Sequence, residues 1–211
     1  MPNTHPGPLT PSDVDDAVQF AISVFGDVPA ERWDSQAGSL EWTCWETAEH
    51  IADCLFYYAG QLATRVPPTT AVAFDWAPRR EGGPANIIFA ERAAGTAGLM
   101  QVLEACGTFL SSIVTTANPT ALAHHTYGES DPEGFAGMGV VETIVHGSDI
   151  AEGLGLDWTP PDDLCDRVLA RLFRYAPEDV HGWRALQWCT GRIDLPGRPR
   201  LTEWKWNGNP L

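Results

Sequence analysis

The chain has 211 residues, 44% of them hydrophobic, and carries 28 acidic against 13 basic side chains, for a net charge of −15 and a pI near 4.6. That much apolar material supports one sizeable core and excludes disorder as the default state. The acidity argues against nucleic acid and anionic membrane surfaces as partners, because both demand a basic face. Five cysteines (Cys44, Cys54, Cys106, Cys165 and Cys189) form no CxxC pair and sit inside helical patterns, as expected of a reduced, cytoplasmic chain. Residues 1–11 are polar and proline-rich rather than a signal peptide, and no uninterrupted apolar run reaches the roughly 20 residues of a membrane helix.

Residues 1–11 read as a flexible tail. Ser12 then offers an N-cap with Asp15 three residues on, and Val14, Val18, Ile22 and Phe25 predict a helix ending at Gly26. A second helix opens at Ser39 or Glu41 and runs toward Ala63; Glu46, His50 and Cys54 recur every fourth residue along one side of it. Between 66 and 94 the helical period breaks. Short apolar runs at 71–76 and 85–90 flank a turn-like stretch, which predicts a hairpin or extended excursion. A crossover of this length fits a bundle that does not run simply up and down. Residues 96–117 restore the helical period through Leu99, Leu103, Cys106 and Leu110. Asp131 caps a fourth helix with Pro132 at its first position, and that helix ends near Gly153 or Gly155. A fifth starts at Pro160-Pro161-Asp162 and a short, Trp-rich sixth spans 181–191, while 201–206 alternates like a strand. The sum is one all-α domain over 1–211 with minor extended segments.

The fourth helix carries the chemistry. Glu142 and His146 are four apart and share a face amid Val141, Ile144, Val145 and Ile150, where an unpaired carboxylate or imidazole is costly. The second helix repeats the pattern with Glu46 and His50. Acid-x3-His pairs arise by chance about 0.8 times in such a composition, so the setting matters more than the spacing. Two histidines and a glutamate leave a tetrahedral Zn²⁺ one open position; nickel or iron also accepts this set. A dinuclear carboxylate site would need Glu-x2-His spacing and further glutamates, which the chain lacks at those positions. Asp149 is placed either to orient a histidine ring or as a surface or capping aspartate. Cys54 could approach the site, although a buried structural thiol is the commoner role. His124 and His125 lie in a loop, where solvation is the default, with His125 and Tyr127 as candidates for a pocket mouth. Arg192 follows a helix end, either as a clamp for an anionic substrate or as a helix C-terminal cation.

Three stretches resemble a known family. Trp42-Thr43-Cys44-Trp45-Glu46-Thr47-Ala48-Glu49-His50 is similar to the tryptophan-to-histidine helix of DinB-like metalloproteins. Val141-Glu142-Thr143-Ile144-Val145-His146-Gly147-Ser148-Asp149 resembles the Glu-x3-His-x2-Asp helix of the mycothiol-dependent maleylpyruvate isomerase branch. Leu186-Gln187-Trp188-Cys189-Thr190-Gly191-Arg192 looks like a late segment of that branch. The resemblance implies a DinB-like four-helix bundle with a long crossover and extra C-terminal helices. It also implies a divalent metal, usually zinc, held by His50, Glu142 and His146, and mycothiol or a similar thiol as cofactor or co-substrate. The family's isomerase adds a C-terminal α/β domain, whereas here the chain runs from Arg192 only to Leu211; the expectation therefore moves toward a thiol transferase or an unassigned metalloenzyme.

The leading expectation is a metal-dependent transferase or isomerase acting on a small molecule through a thiol, with Asp149 and Arg192 assisting. A metal-dependent hydrolase would use bound water and a general base, Asp149 or Glu46. A non-enzymatic bundle binding a small molecule or partner is the third reading; nine tryptophans suit an apolar pocket, a homodimer surface or plain core packing.

Overall fold

The long helices begin where a side chain can hold their first free N–H groups or fix their first φ angle. In the computed structural model, which describes residues 6–211, α1 (Pro11–Phe25) is capped by Thr10. The Asp13 carboxylate accepts from the Thr10 amide at 2.7 Å and its hydroxyl at 2.9 Å. The helix thus starts ahead of the predicted Ser12 cap. The expected tail is also shorter: residues 1–5 lie outside the described residues, Leu9 is buried in the core, and Pro11 is already helical. For α2 (Cys44–Leu62) the cap is Thr43, whose hydroxyl accepts from the Glu46 amide at 3.1 Å while Glu46 reaches back to the Thr43 amide at 2.9 Å. The predicted start at Ser39 or Glu41 came too early, because residues 36–43 instead close a turn through a Gln36–Thr43 bridge.

The helix α3 (Gly95–Thr116) follows the predicted period. With its preceding turn, the segment Arg92–Thr116 is long and apolar enough on average to cross a membrane. Its Leu99, Leu103, Cys106 and Leu110 form a face buried in the core, while 39% of that apolar window is buried in all. As the sequence predicts, α4 (Pro132–Leu154) opens on Asp131, which accepts from the Gly134 amide at 2.8 Å; Gly155 closes it in the left-handed conformation at φ 65°. α4 is buried on nearly every side. Its glycines permit this: a Cβ at Gly139 would fall 2.5 Å from Leu110, and one at Gly147 would fall 2.3 Å from the Trp158 ring.

Four helices enclose the core, with α1 and α2 at opposite corners, each packed against both α3 and α4. Two shorter helices, α5 (Asp162–Leu172) and α6 (Gly182–Cys189), pack on each other, and α5 leans on α4. The excursion between α2 and α3 forms only a two-rung antiparallel pair, β1 (Ala77–Pro78) with β2 (Ala85–Asn86). Carboxylates on α2 hold the rest of it. Glu46 binds Arg80 at 2.7 and 2.8 Å, Glu49 accepts from the Ala90 amide at 3.0 Å, and Asp53 accepts from the Ile87 and Ile88 amides at 2.6 and 3.0 Å. The expected strand at 201–206 does not form. That segment folds back as irregular chain, fixed by Asn207 donating to the Leu172 carbonyl at 2.8 Å and Gly208 to that of Tyr127 at 2.9 Å.

Candidate metal centre

The middle of α2 and the middle of α4 face each other across the core, and each brings one histidine to the meeting point. The His50 and His146 rings stand edge-on at 5.2 Å between centroids, with Trp42 beside both, 4.9 Å from His50 and 6.2 Å from His146. Glu142 lies between them. Its Oε2 is 3.3 Å from His146 Nε2, and its Oε1 accepts from the buried Tyr58 hydroxyl at 3.2 Å. Of the three expected ligands, His50 and Glu142 thus meet from two elements far apart in sequence, with His146 beside Glu142. A donor from His50, Cys54 Sγ and a Glu142 oxygen lie within 4.8 Å of one another. Cys54, for which the sequence left open an approach to the site beside the commoner structural role, is therefore part of the cluster.

The electrostatics follow from burial opposed by pairing. Burial works against ionising Glu142, but hydrogen bonding and charge from His146 outweigh it and hold the carboxyl below its ordinary range. Burial likewise disfavours an imidazolium at His146, yet Asp149 and Glu142 together push its pKa up. His50 goes the other way: burial first, then the His146 charge, lower it to about 4, so it is neutral at pH 7. Cys54 Sγ stands 3.5 Å from His50 Nε2. If the thiol donates there, the ring proton sits on Nδ1, the inferred tautomer, and the Nε2 lone pair faces Glu142 and Cys54. On the far side, Asn86 from β2 approaches His50. The pair falls short of hydrogen-bond geometry, and His50 Nδ1 and both Asn86 amide atoms are buried without a partner among the described residues.

Asp149 and Arg192, the two residues expected to be catalytic, stand behind His146 rather than on the cleft wall. Asp149 Oδ2 lies 3.0 Å from His146 Nδ1 and accepts from Arg192 Nη2 at 2.7 Å. Arg192 also donates from Nη1 to the Thr190 carbonyl at 2.7 Å, and its guanidinium lies 5.5 Å from the Trp204 ring. A clamp on a substrate anion does not fit a guanidinium so engaged. The arrangement instead fixes the His146 ring with Nε2 toward Glu142. Glu46 is corrected as well: tied to Thr43 and Arg80, it belongs to the helix cap and the crossover, and it does not line the cleft.

A cleft of about 320 Å³ opens onto the cluster, its inner wall made by His50, Tyr58, Glu142 and His146. The outer wall is His125 and Tyr127 from the loop before α4, with Trp204 and Trp206 from the C-terminal segment. Solvation, the default for a loop histidine, does not hold for His125; with Tyr127 it lines the cleft, as the alternative reading has it. It is buried, its Nδ1 accepts from the Tyr127 amide at 3.1 Å, and its ring stacks on Trp206 at 5.8 Å. Burial lowers its pKa to about 4, which leaves a neutral ring with Nε2 as its N–H donor. Tyr58 carried a readable signal, continuing the four-residue spacing of His50 and Cys54 along α2; Asn86 and Trp206 carried none, because only the folding back of the crossover and the C-terminal segment brings them here.

The donor chemistry fits a divalent cation. A His50 nitrogen, Cys54 Sγ and a Glu142 oxygen stand close together on rigid helices, and His146, beside Glu142, has its far nitrogen held by a carboxylate. Compared with profiles of protein families, with curated proteins and with solved structures, the chain matches none.

Proposed function

We propose that the chain is a DinB-like, divalent-metal-dependent enzyme that uses a low-molecular-weight thiol of the mycothiol type as nucleophile toward a small electrophile, as a transferase or as an isomerase of the maleylpyruvate kind. The observation that carries this reading is the convergence of His50, Glu142 and His146 on the floor of an aromatic-walled cleft, with Asp149 on the second nitrogen of His146. Opposite corners for α1 and α2, joined to the rest by a long crossover, support the DinB-like reading.

His50, Glu142 and His146 would hold the ion, zinc first and nickel or iron as alternatives. When bound, such an ion supplies Lewis acidity that lowers the proton affinity of a thiol beside it. The chain's own residues do the rest. Asp149 and Arg192 keep His146 in one orientation, and Tyr58 holds the other oxygen of Glu142. Trp204, Trp206 and Tyr127 offer an apolar wall for the electrophile and keep water away. The His125 N–H is a donor at the cleft for a carbonyl or similar acceptor on the substrate. Hydrolysis fits less well. Apart from Glu142, no carboxylate among the described residues lines the cleft, so neither Asp149 nor Glu46, the expected general bases for water, is at hand. Five buried, unpaired cysteines suit a reducing cytoplasm.

Elemental analysis joined to a turnover assay tests the reading. Near-stoichiometric metal and consumption of a chromogenic electrophile that requires both metal and added thiol are expected. Folded protein that contains no metal and takes up none when offered it would sink the proposal, and turnover with water alone would redirect it to hydrolysis.

A further inference from the structure

The cluster holds a donor that the three-ligand reading does not use. Cys54 Sγ is 3.5 Å from His50 Nε2, and across the cluster Glu142 Oε2 is 3.3 Å from His146 Nε2. Around a tetrahedral zinc ion, with Zn–S near 2.3 Å and bonds to nitrogen and oxygen near 2.0–2.1 Å, neighbouring S and N donors stand about 3.6 Å apart and O and N donors about 3.4 Å. Each separation is that of a tetrahedral edge, and a Glu142 oxygen lies within 4.8 Å of both Cys54 Sγ and a His50 donor nitrogen; His146 stands outside that mutually close trio and joins it through Glu142. We infer that Cys54 is the fourth protein donor, completing a His50, Glu142, His146 and Cys54 set around the divalent cation. This inference rests on the metal-centre reading above.

Charge supports it independently. One carboxylate and one thiolate neutralise a divalent cation, whereas Glu142 alone leaves a net positive charge at a buried site. Coordination of a thiolate would release the Cys54 proton. A four-donor shell is closed. In the resting protein Cys54 occupies the position that the proposed co-substrate thiol needs. An entering thiol would take the place of Cys54 Sγ, and its S–H proton would pass to Cys54, with no change in oxidation state. Cys54 thereby masks the cation until a competing thiol arrives.

Cobalt substitution, with no thiol added, tests this. The full chain should take up cobalt stoichiometrically and show a near-ultraviolet thiolate-to-cobalt charge-transfer band. Cys54→Ser should retain the cobalt, because three donors remain, and lose the band. Visible cobalt bands without the charge-transfer feature in the unmodified chain would overturn the Cys54 assignment and leave the three-donor centre standing. The same feature persisting in Cys54→Ser would also overturn it. A folded chain that binds no cobalt or zinc would remove the metal centre itself, and this inference with it. Should the variant not fold, zinc-edge X-ray absorption on the unmodified chain decides the matter: sulfur at about 2.3 Å is expected, and a shell of nitrogen and oxygen alone overturns the assignment.

Discussion

Glu46/His50 on α2 and Glu142/His146 on α4 share one spacing, one pair of residue types and helical backbone, yet only one pair stays together. Glu142 faces His146 at 3.3 Å in mid-helix. Glu46 turns away from the cluster to the Thr43 amide and to Arg80. The cause is position along the helix. Glu46 sits in the first turn, where N–H groups have no intrahelical partner and a carboxylate is drawn back to the cap. Glu142 lies two turns or more from either end of α4, where every backbone group is already bonded, so its side chain is left for tertiary partners. An i, i+4 pair therefore states which residues share a face and leaves open what that face meets.

The sharpest way to break the comparison is to remove each acid in turn. Glu142→Gln should abolish near-stoichiometric metal binding, while Glu46→Gln keeps the metal content of the unmodified chain; equal loss in both, read by elemental analysis of folded protein, would erase the distinction.

A second difference separates the acids of α2 that hold the crossover from those of α4. Burial lifts Asp53 from its ordinary 3.8 to about 6, against the opposing pull of the Ile88 and Ile87 amides. Between those two values the folded chain keeps a proton that the unfolded chain has released. Asp53 thus favours folding fully below about pH 4, and that contribution is lost as pH rises through 6. Asp53→Asn should flatten the dependence of urea-unfolding free energy on pH across this window, by up to about 3 kcal/mol. An unchanged slope would mean that the carboxyl titrates normally.

On the α4 side, Asp149→Asn weakens the hold on His146 without removing a donor. Zinc affinity in a competition titration should fall about 10–100-fold; a loss as complete as that of Glu142→Gln would make Asp149 a ligand instead. The smallest effect belongs to the cap. Thr43→Ala should cost about 1 kcal/mol of folding stability and leave zinc affinity unchanged, which calorimetry and the same titration would read together.

Much of this was legible in the residues. The apolar period marked the helices, Asp131-Pro132 marked the start of α4, and apolar neighbours marked Glu142, His146 and His50 as side chains in need of partners. The capping pattern Thr43-x-x-Glu46 was equally legible and would have both placed the start of α2 and removed Glu46 from the candidate ligands. The strand expected at 201–206 failed for a different reason: alternation reports two faces of an extended chain, and with no neighbouring strand to bond, that chain was fixed by Leu172 and Tyr127 carbonyls instead.

What the sequence determined by itself is therefore local: helix period, most boundaries, and which polar groups could not remain alone inside an apolar face. Only the tertiary structure decided the partners. It packed α2 against α4 so that His50 met Glu142 and His146, brought Cys54 into their reach, bound Arg192 to Asp149, and folded Trp204 and Trp206 over the cleft. Helix geometry is set by bonds within a few residues, whereas a site of this kind is set by contacts between residues nearly a hundred positions apart, which depend on how whole helices pack.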